Sequence, residues 1–281
     1  MKKVAIVTDS SAYLPPEIVK DLDLHVVPLT LHWDDESYRD GEDIRAEEFY
    51  ERLAQSNTIP TTSQTTVGEF DRLFKSLLDK DYAVFAMLIS SGISGTVESA
   101  IQSKANFHDA ELEVFDSQLV SMALGFMVMT VARAAKEGAD LAECKALAEA
   151  VYPKIGVYFT VDTLKYLNKG GRINTAKRLM GSALNIKPIM EIRDGKIELV
   201  ESVISRKKAI KRMLDMVEVD ITGREPVLIS TFHAAADEDN KSLMAEAVER
   251  FHPIETVTTF VSPVVGSHTG PGTLSIAYMA G

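Results

Sequence analysis

A histidine, two hydroxyl side chains and three glycines are grouped in residues 265–272, which read VGSHTGPG. Glycine permits backbone conformations and close ligand approach that other residues resist, so this segment is suited to cradle an anionic head group. Pro271 suits the first turn of a helix that residues 274–278 would continue, and a helix N-terminus attracts anions. A helix cap containing a hydrogen-bonded histidine explains the same residues equally well.

A second group of hydroxyls lies in residues 90–96, SSGISGT, between the apolar run 83–89 and a helical pattern over 97–105. In α/β sheets, ligands bind at the carboxyl ends of the strands, where this segment falls. The hydroxyls of Ser94 and Thr96, with the free N–H groups of the new helix, can hold carboxylate or phosphate oxygens. An ordinary N-cap role for Ser94 is the alternative.

A third hydroxyl cluster is PTTSQTT at residues 60–66, between a helix expected to end near Gln55 and one starting near Val67. By itself it is typical of a polar loop. Its significance comes from the other two segments, because three hydroxyl-rich turns can converge on one anion.

The length and composition of the chain exclude several classes of protein and site. The chain has 281 residues, 46% of them hydrophobic, which is enough to bury a substantial core. Thirty Lys and Arg against 41 Asp and Glu give a net charge of −11, which disfavours a nucleic-acid surface. Cys144 is the single cysteine, so an internal disulfide framework and a cysteine zinc site are excluded.

The compartment follows from the same features. One cysteine and an N-terminus unlike a signal peptide predict a cytoplasmic protein. The most apolar segment, 119–132, is shorter than the roughly 20 residues that a membrane helix needs, so a buried helix is expected there.

Alternation of strand-like and helical patterns predicts an α/β fold. In the first half, the expected strands are 4–7, 26–29, 82–89 and 112–115, and helices begin near Pro15 and Arg45, after Thr66, near Gly95 and after Ser117, which is typical of a wound parallel sheet. Pro153 and Gly156 mark a boundary, giving an N-terminal domain of residues 1–155 and a mixed α/β domain of residues 156–281. The second domain should contain a hairpin of 188–192 and 196–203, strands near 226–231 and 255–261, and helices near 206–218 and 239–251.

Enzymatic alternatives receive little support from the motifs. GISG at 92–95 falls one residue short of the Gly-x-Ser-x-Gly nucleophile elbow, which leaves open a serine acyl hydrolase using Ser94, His268 and Asp116. The sequence has no phosphate-binding loop of the GxxxxGK[ST] type and no dinucleotide fingerprint. Its histidines have no paired zinc spacing, and Asp9 lacks a second acid at ligand spacing, so no metal is expected.

Taken together, five ordered motifs resemble the DegV family over nearly the whole chain. They are VTDSS at 7–11, TTSQ at 61–64, SSGISGT at 90–96, YLNKGGRI at 166–173 and HTGPG at 268–272. Thr65 stands where the family often has proline, and Val97 where it often has tyrosine.

The resemblance implies a two-domain α/β protein that holds a long-chain fatty acid, such as palmitate, stearate or oleate, between its domains. It further implies a FakB-like subunit without catalysis or cofactor of its own, which presents the carboxylate to a FakA-like fatty acid kinase for acyl-phosphate formation. By the same resemblance, Thr62 and Ser94 bind the carboxylate. The supporting polar network comprises Thr61, Ser63, Gly95, Thr96, Arg172, His268 and Thr269.

Physical considerations agree with such a ligand. Burying roughly 14 methylenes at about 0.8 kcal/mol each contributes about 11 kcal/mol before ordering costs. The carboxylate gives up water on burial, so it needs hydrogen bonds from hydroxyls and backbone N–H groups. Apolar residues in 115–131 are candidates either for the walls of the tail cavity or for ordinary core.

The partners of the protein are less clearly indicated by the sequence than its ligand. Arg206, Lys207 and Lys208 are candidates for contact with an acidic or nucleotide-bearing partner, against the alternative of a solvated face. A monomer that meets membranes only transiently is expected. A sensor of lipid occupancy would use the same pocket as a carrier, and the sequence does not separate them.

Overall fold

The structure, a computed structural model, describes residues 2–179 and 186–281. The N-terminal part of the chain forms the following elements in order: β1 (Val4–Asp9), α1 (Pro16–Asp21), β2 (His25–Val27), β3 (Thr30–Trp33), β4 (Glu36–Arg39), α2 (Ala46–Gln55), β5 (Thr61–Ser63), α3 (Val67–Leu78), β6 (Ala83–Leu88), α4 (Thr96–Lys104), β7 (Leu112–Asp116), α5 (Ser121–Lys136) and α6 (Leu141–Val151). The C-terminal part forms β8 (Ile155–Thr160), α7 (Lys165–Lys169), β9 (Lys187–Arg193), β10 (Lys196–Val203), α8 (Arg206–Ile221), β11 (Val227–His233), α9 (Asp237–Phe251), β12 (Glu255–Phe260), α10 (Pro263–Thr269) and β13 (Leu274–Ala280).

The N-terminal half contains the expected parallel sheet, with strand order β2-β1-β6-β7. β1 and β6 are buried at every position, as their apolar runs predict, because helices cover both faces. α3 is fixed at its start by a capping box, in which Thr66 accepts from the Glu69 backbone N–H and the Glu69 carboxylate accepts from that of Thr66. α2, α3 and α4 begin at Ala46, Val67 and Thr96, which confirms the helix starts predicted near Arg45, after Thr66 and near Gly95.

A small antiparallel sheet of order β4-β3-β5 was not expected from the sequence. The hydroxyl cluster at 61–63 is a strand, with Thr62 opposite Leu31, so the alternative of an ordinary polar loop does not hold for these residues. A strand of three residues carries no usable periodicity, and its partner lies about thirty positions earlier in the chain.

The C-terminal half forms a mixed sheet of order β10-β9-β8-β13-β11-β12, which the chain enters at β8. The predicted hairpin is present as β9 and β10, joined at Asp194 and Gly195. The expected helix over 274–278 was wrong, because this run is β13, hydrogen-bonded to β8 on one side and β11 on the other. A short, fully buried apolar run does not distinguish a helix from a central strand, and here the neighbouring strands decide it.

α5 lies between the two large sheets and joins them through one hydrophobic core. Its side chains pack against Ile6 and Phe85 of the parallel sheet and against Val157 and Phe232 of the mixed sheet. Eleven of its 16 residues are buried, as befits a helix that is apolar on every side. Apart from Val120 just before the helix and Ser121 at its start, this segment is core and does not line the cavity described below.

No helix in residues 2–179 and 186–281 is both long and apolar enough to cross a membrane. Within the same ranges, His, Cys, Asp and Glu side chains do not gather in threes at a geometry that would hold a metal ion.

Candidate functional site

A cavity of about 610 Å³ lies between the parallel and the mixed sheet. This volume is in the range of small-molecule sites, roughly 300–1,000 Å³. Its apolar walls come from both halves of the chain and include Leu29, Ile89, Val120, Val157, Phe159, Ile192, Phe232, Val261 and Val264. The cavity therefore forms only when the two halves pack together, because each half supplies only part of its lining.

Four polar side chains line this cavity and are here called the polar cluster: Thr62, Ser94, Arg172 and His268. Thr62 on β5 and His268 on α10 share a hydrogen bond of 2.7 Å between Oγ1 and Nε2. Arg172 lies close enough to His268 to disfavour its protonation, and its Nε donates to the carbonyl of Ile93, next to Ser94.

The surroundings of His268 determine its charge and its tautomer. Burial, with the nearby positive charge of Arg172, lowers the pKa of His268 to about 4, so the ring is neutral at pH 7. Its Nδ1 is buried without a hydrogen-bond partner among the described residues. A proton at Nδ1 would be an unsatisfied buried donor, so the proton resides on Nε2 and is donated to Thr62.

This arrangement orients the hydroxyl of Thr62. Because Oγ1 accepts from His268, the hydroxyl proton of Thr62 is available to donate into the cavity. Gly170 permits the close approach of His268, since a Cβ at this position would overlap the Nδ1 atom. The glycine of the NKGGR motif thus has a packing role at the site.

Ser94 occupies the loop between β6 and α4, at the carboxyl end of the strand, as predicted. Its hydroxyl lies 2.9 Å from that of Thr96, which is fully buried beneath it. If Thr96 donates to Ser94, Ser94 is free to donate to a ligand, in the manner of Thr62. A Cβ at Gly95 would overlap the side-chain amide of Gln64, so glycine leaves room for the hydrogen bond from Gln64 to Ser99.

Most residues implied by the resemblance lie at the cavity. Those that line it are Thr62, Ser63, Ser94, Gly95, Arg172, His268 and Thr269. Thr96 supports Ser94 from below, and Thr61 lines an adjoining groove together with Lys169. Ser63 bonds His32 at 2.7 Å, so its hydroxyl is already engaged. Thr65 and Val97, the two departures from the family pattern, do not line the cavity.

Residues 265–272 were expected to precede the N-terminus of a helix, but in the structure they form the C-terminal end of α10. α10 ends at Thr269, and Gly270 has a φ of 79°, so the segment forms a helix C-terminus. A helix C-terminus disfavours anions, which makes the side chains of Thr62 and Ser94 the donors that an anion would need.

Sequence reasoning missed several polar residues of the cavity. Gln64 donates to Ser99 at 2.9 Å on one wall, and Ser121 and Ser275 lie on others. Ser275 lies on β13 opposite Phe159 and Phe232, so it belongs to the cavity face of the mixed sheet. Its position could be found only once residues 274–278 were recognised as a strand.

The geometry does not form a hydrolase triad. Ser94 is bonded to Thr96, and His268 is bonded to Thr62. The carboxylate of Asp116 accepts from Ser91 and is not bonded to a histidine. A nucleophile, a base and an orienting acid in hydrogen-bonded series are therefore not present among these residues.

The three basic residues at the start of α8 differ in whether their side chains are free to contact a partner. Arg206 donates to Asp239 at 2.8 Å and to the carbonyl of Gly272 at 2.6 Å, which ties α8 to α9 and to the turn before β13. Lys207 and Lys208 are exposed. Arg206 is thus engaged inside the protein, and the two lysines are the cations open to a partner.

Comparison with known proteins gives a consistent result over the full chain. The family model described as "Uncharacterised protein, DegV family" matches residues 3–281. A DegV domain-containing protein of Listeria innocua is 34% identical over 278 residues, covering 99% of this chain and 98% of that protein.

Two solved structures resemble the fold closely. A fatty-acid-binding DegV family protein from Thermus thermophilus has a TM-score of 0.94 and 29% identity, covering 99% of both chains. DegV of Bacillus subtilis, described as a fatty acid binding protein, has a TM-score of 0.91 and 32% identity over 100% of both chains. With the five motifs, the α/β fold and the polar cluster in place, the chain belongs to the DegV family.

Proposed function

We propose that this protein binds a long-chain fatty acid, with the tail in the 610 Å³ cavity and the carboxylate at the polar cluster. The observation that carries the proposal is the hydroxyl of Thr62, which accepts from neutral His268 and is left to donate at the polar end of an apolar cavity. Binding of fatty acids by the T. thermophilus and B. subtilis relatives supports it.

The division of labour between tail and head group follows from the energetics. Each buried methylene contributes about 0.8 kcal/mol, so the tail supplies most of the affinity. A buried carboxylate is costly unless it accepts hydrogen bonds, so Thr62 and Ser94 fix which end of the ligand faces the polar cluster. Arg172, at the same cavity, provides a positive charge nearby.

The protein performs no chemistry of its own in this proposal. It presents the carboxylate to a FakA-like kinase, which transfers the γ-phosphoryl group of ATP to a carboxylate oxygen. The bond between that phosphorus and ADP breaks, and the products are an acyl phosphate and ADP. Exposed Lys207 and Lys208 are the proposed contacts with the kinase.

Native mass spectrometry of the purified protein tests the binding proposal. We expect a noncovalent fatty acid adduct, which the double variant Thr62→Val with Ser94→Ala loses while its circular dichroism stays unchanged. Ser76→Ala, on the exposed face of α3, is the matched control and keeps the adduct. An adduct retained by the double variant would exclude the proposed head-group site.

The kinase role needs a separate assay. Protein loaded with palmitate is mixed with a purified fatty acid kinase and ATP, and acyl phosphate is trapped with hydroxylamine. Lys207→Glu with Lys208→Glu should slow product formation without changing palmitate binding. Product formation at the wild-type rate would place the kinase contact elsewhere. Release of free acid from acyl esters, abolished in Ser94→Ala, would instead support a hydrolase.

A further inference from the structure

Two buried serines, here called the serine pair, line the 610 Å³ cavity in addition to the polar cluster. Ser121 lies at the start of α5 and is 4% exposed, and Ser275 lies on β13 and is 2% exposed. Neither hydroxyl forms a hydrogen bond with another described residue. Because buried hydroxyls are normally bonded, this pair at the wall of a cavity indicates a polar group of a ligand.

The serine pair belongs to the part of the cavity that would hold the tail. Ser275 lies on β13 between Phe159 and Phe232, which are apolar wall residues of the same cavity. Other polar residues of the lining are already engaged, since Thr273 donates to the carbonyl of Gly270 at 2.6 Å. The hydroxyls of the pair are thus unused donors among apolar walls.

The two serines lie at the same level of the cavity. Thr130 on α5 donates to the sulfur of Met279 on β13 at 3.6 Å, which fixes the helix against the strand. From this contact to Ser121 the helix extends about 13.5 Å, at about 1.5 Å per residue. From it to Ser275 the strand extends about 13 Å, at about 3.3 Å per residue. Both elements therefore reach the cavity at the serine pair.

The start of α5 offers further donors beside the serine pair. Its N-cap residue, Val120, has an apolar side chain that cannot cap the helix, and it lines the cavity. The first-turn N–H groups are therefore available to a ligand oxygen. Ser121 has a φ of 53°, in the left-handed region that serine rarely adopts, and such strain is typical of ligand sites.

We infer that the serine pair binds a hydroxyl group on the acyl chain, so that the preferred ligand is a hydroxylated long-chain fatty acid. This inference rests on the proposed function and names its substrate class. A saturated tail would displace water from both serines and leave their hydroxyls without partners. A chain hydroxyl can donate to one serine and accept from the other, which satisfies both.

Competition binding with ligands of one chain length and one head group tests the inference. Stearate is the reference, and 3-, 10- and 12-hydroxystearate place the hydroxyl at different distances from the carboxylate. We expect wild-type protein to bind one hydroxystearate about tenfold more tightly than stearate. The double variant Ser121→Ala with Ser275→Ala should lose this preference and bind stearate at least as tightly as wild type. Thr62→Val should weaken both ligands by the same factor, because it acts on the shared carboxylate.

A second variant guards against misfolding at the start of α5. Ser121→Gly lacks the hydroxyl and readily adopts a φ of 53°, so it should reduce the preference while remaining folded. Ser202→Ala, at an exposed position of β10, is the matched control and keeps the preference.

The outcomes separate this inference from the proposed function. Wild-type protein that binds stearate as tightly as every hydroxystearate, or more tightly, would overturn the role of the serine pair. A preference that survives in both the double variant and Ser121→Gly would overturn it as well. If wild-type protein binds none of the four ligands, the proposed function itself fails.

Discussion

Thr62 Oγ1 and His268 Nε2, from residues 206 positions apart, lie 2.7 Å from each other and share a hydrogen bond. One residue belongs to a three-residue strand of the N-terminal half and the other to a helix of the C-terminal half. The bond exists only when both halves are packed together, and it turns the threonine hydroxyl into a directed donor. Binding at the cavity is thereby coupled to the docking of α10 against β5.

Replacing Thr62 by valine removes the hydroxyl and keeps the shape of the side chain. Because hydrogen bonds to a charged group contribute about 1.5–3 kcal/mol, palmitate affinity should fall roughly 10- to 100-fold in Thr62→Val. Thr62→Ser retains the hydroxyl and should bind within about fivefold of wild type. Isothermal titration calorimetry of delipidated protein measures both, and equal affinities for the valine and serine variants would contradict the donor role.

Adding a methyl group at Gly170 should displace His268, because the new Cβ overlaps Nδ1 of the ring. We expect Gly170→Ala to lose palmitate affinity about as much as Thr62→Val while remaining folded. Gly68→Ala on α3, whose Cβ would make only an ordinary contact of 3.9 Å with Nη1 of Arg72, is the control and should bind normally. A Gly170→Ala variant with wild-type affinity would show that the ring position is not required.

Stability should decrease at acidic pH through His268. Its pKa is lowered from 6.5 in the unfolded chain to about 4 in the fold, mainly by burial. Below pH 6.5 this histidine binds a proton in the unfolded chain but not in the folded protein. The lowered pKa therefore contributes up to about 3 kcal/mol to the free energy of unfolding above pH 6.5, and this contribution is lost as the pH falls towards 4. Urea unfolding of wild type and His268→Gln from pH 7 to 4 isolates this contribution, since all other groups are common to both; parallel curves would refute it.

Asp40 should contribute pH dependence of the opposite sign. Burial raises the pKa of this carboxyl from 3.8 to about 7, although it accepts from Ser10 at 2.7 Å and from the Val264 N–H at 3.4 Å. Between roughly pH 4 and 7 the unfolded chain has lost a proton that the folded protein retains, so stability falls as pH rises through this window. The wild type should therefore lose up to about 4 kcal/mol more than Asp40→Asn between pH 4 and 8, measured by urea unfolding. An identical slope in both proteins would mean that Asp40 is ionised in the fold.

The space inside the 610 Å³ cavity should control acyl chain length. Ser275 lies between Phe159 and Phe232 on the cavity face of the mixed sheet, so Ser275→Leu fills space that a tail would occupy. We expect the adducts seen by native mass spectrometry to shift to shorter chains. Ser202→Leu, on an exposed position of β10, should leave the distribution unchanged. An unaltered distribution in Ser275→Leu would place the tail elsewhere.

Local sequence patterns determined much of the architecture. Apolar runs and capping residues place β1, β6 and α3 within a few residues of their observed bounds, because the signals that start and end them are short-range. The same locality predicts that Ser94 follows a strand at its carboxyl end. The five ordered motifs identified the family, and four of them, TTSQ, SSGISGT, YLNKGGRI and HTGPG, contribute residues to the cavity.

Contacts between residues far apart in the chain determined the parts of the fold and of the site that local patterns did not predict. Residues 274–278 have an apolar pattern that suits a helix or a strand, and only β8 and β11 on either side make them β13. The tautomer of His268 depends on the absence, among the residues that the structure describes, of an acceptor near Nδ1, which is a property of packing around Gly170. The sequence by itself determined which side chains are available for an anion. Only the tertiary structure decided that they meet at one cavity, because hydrogen bonds between residues two hundred positions apart depend on how the two halves pack.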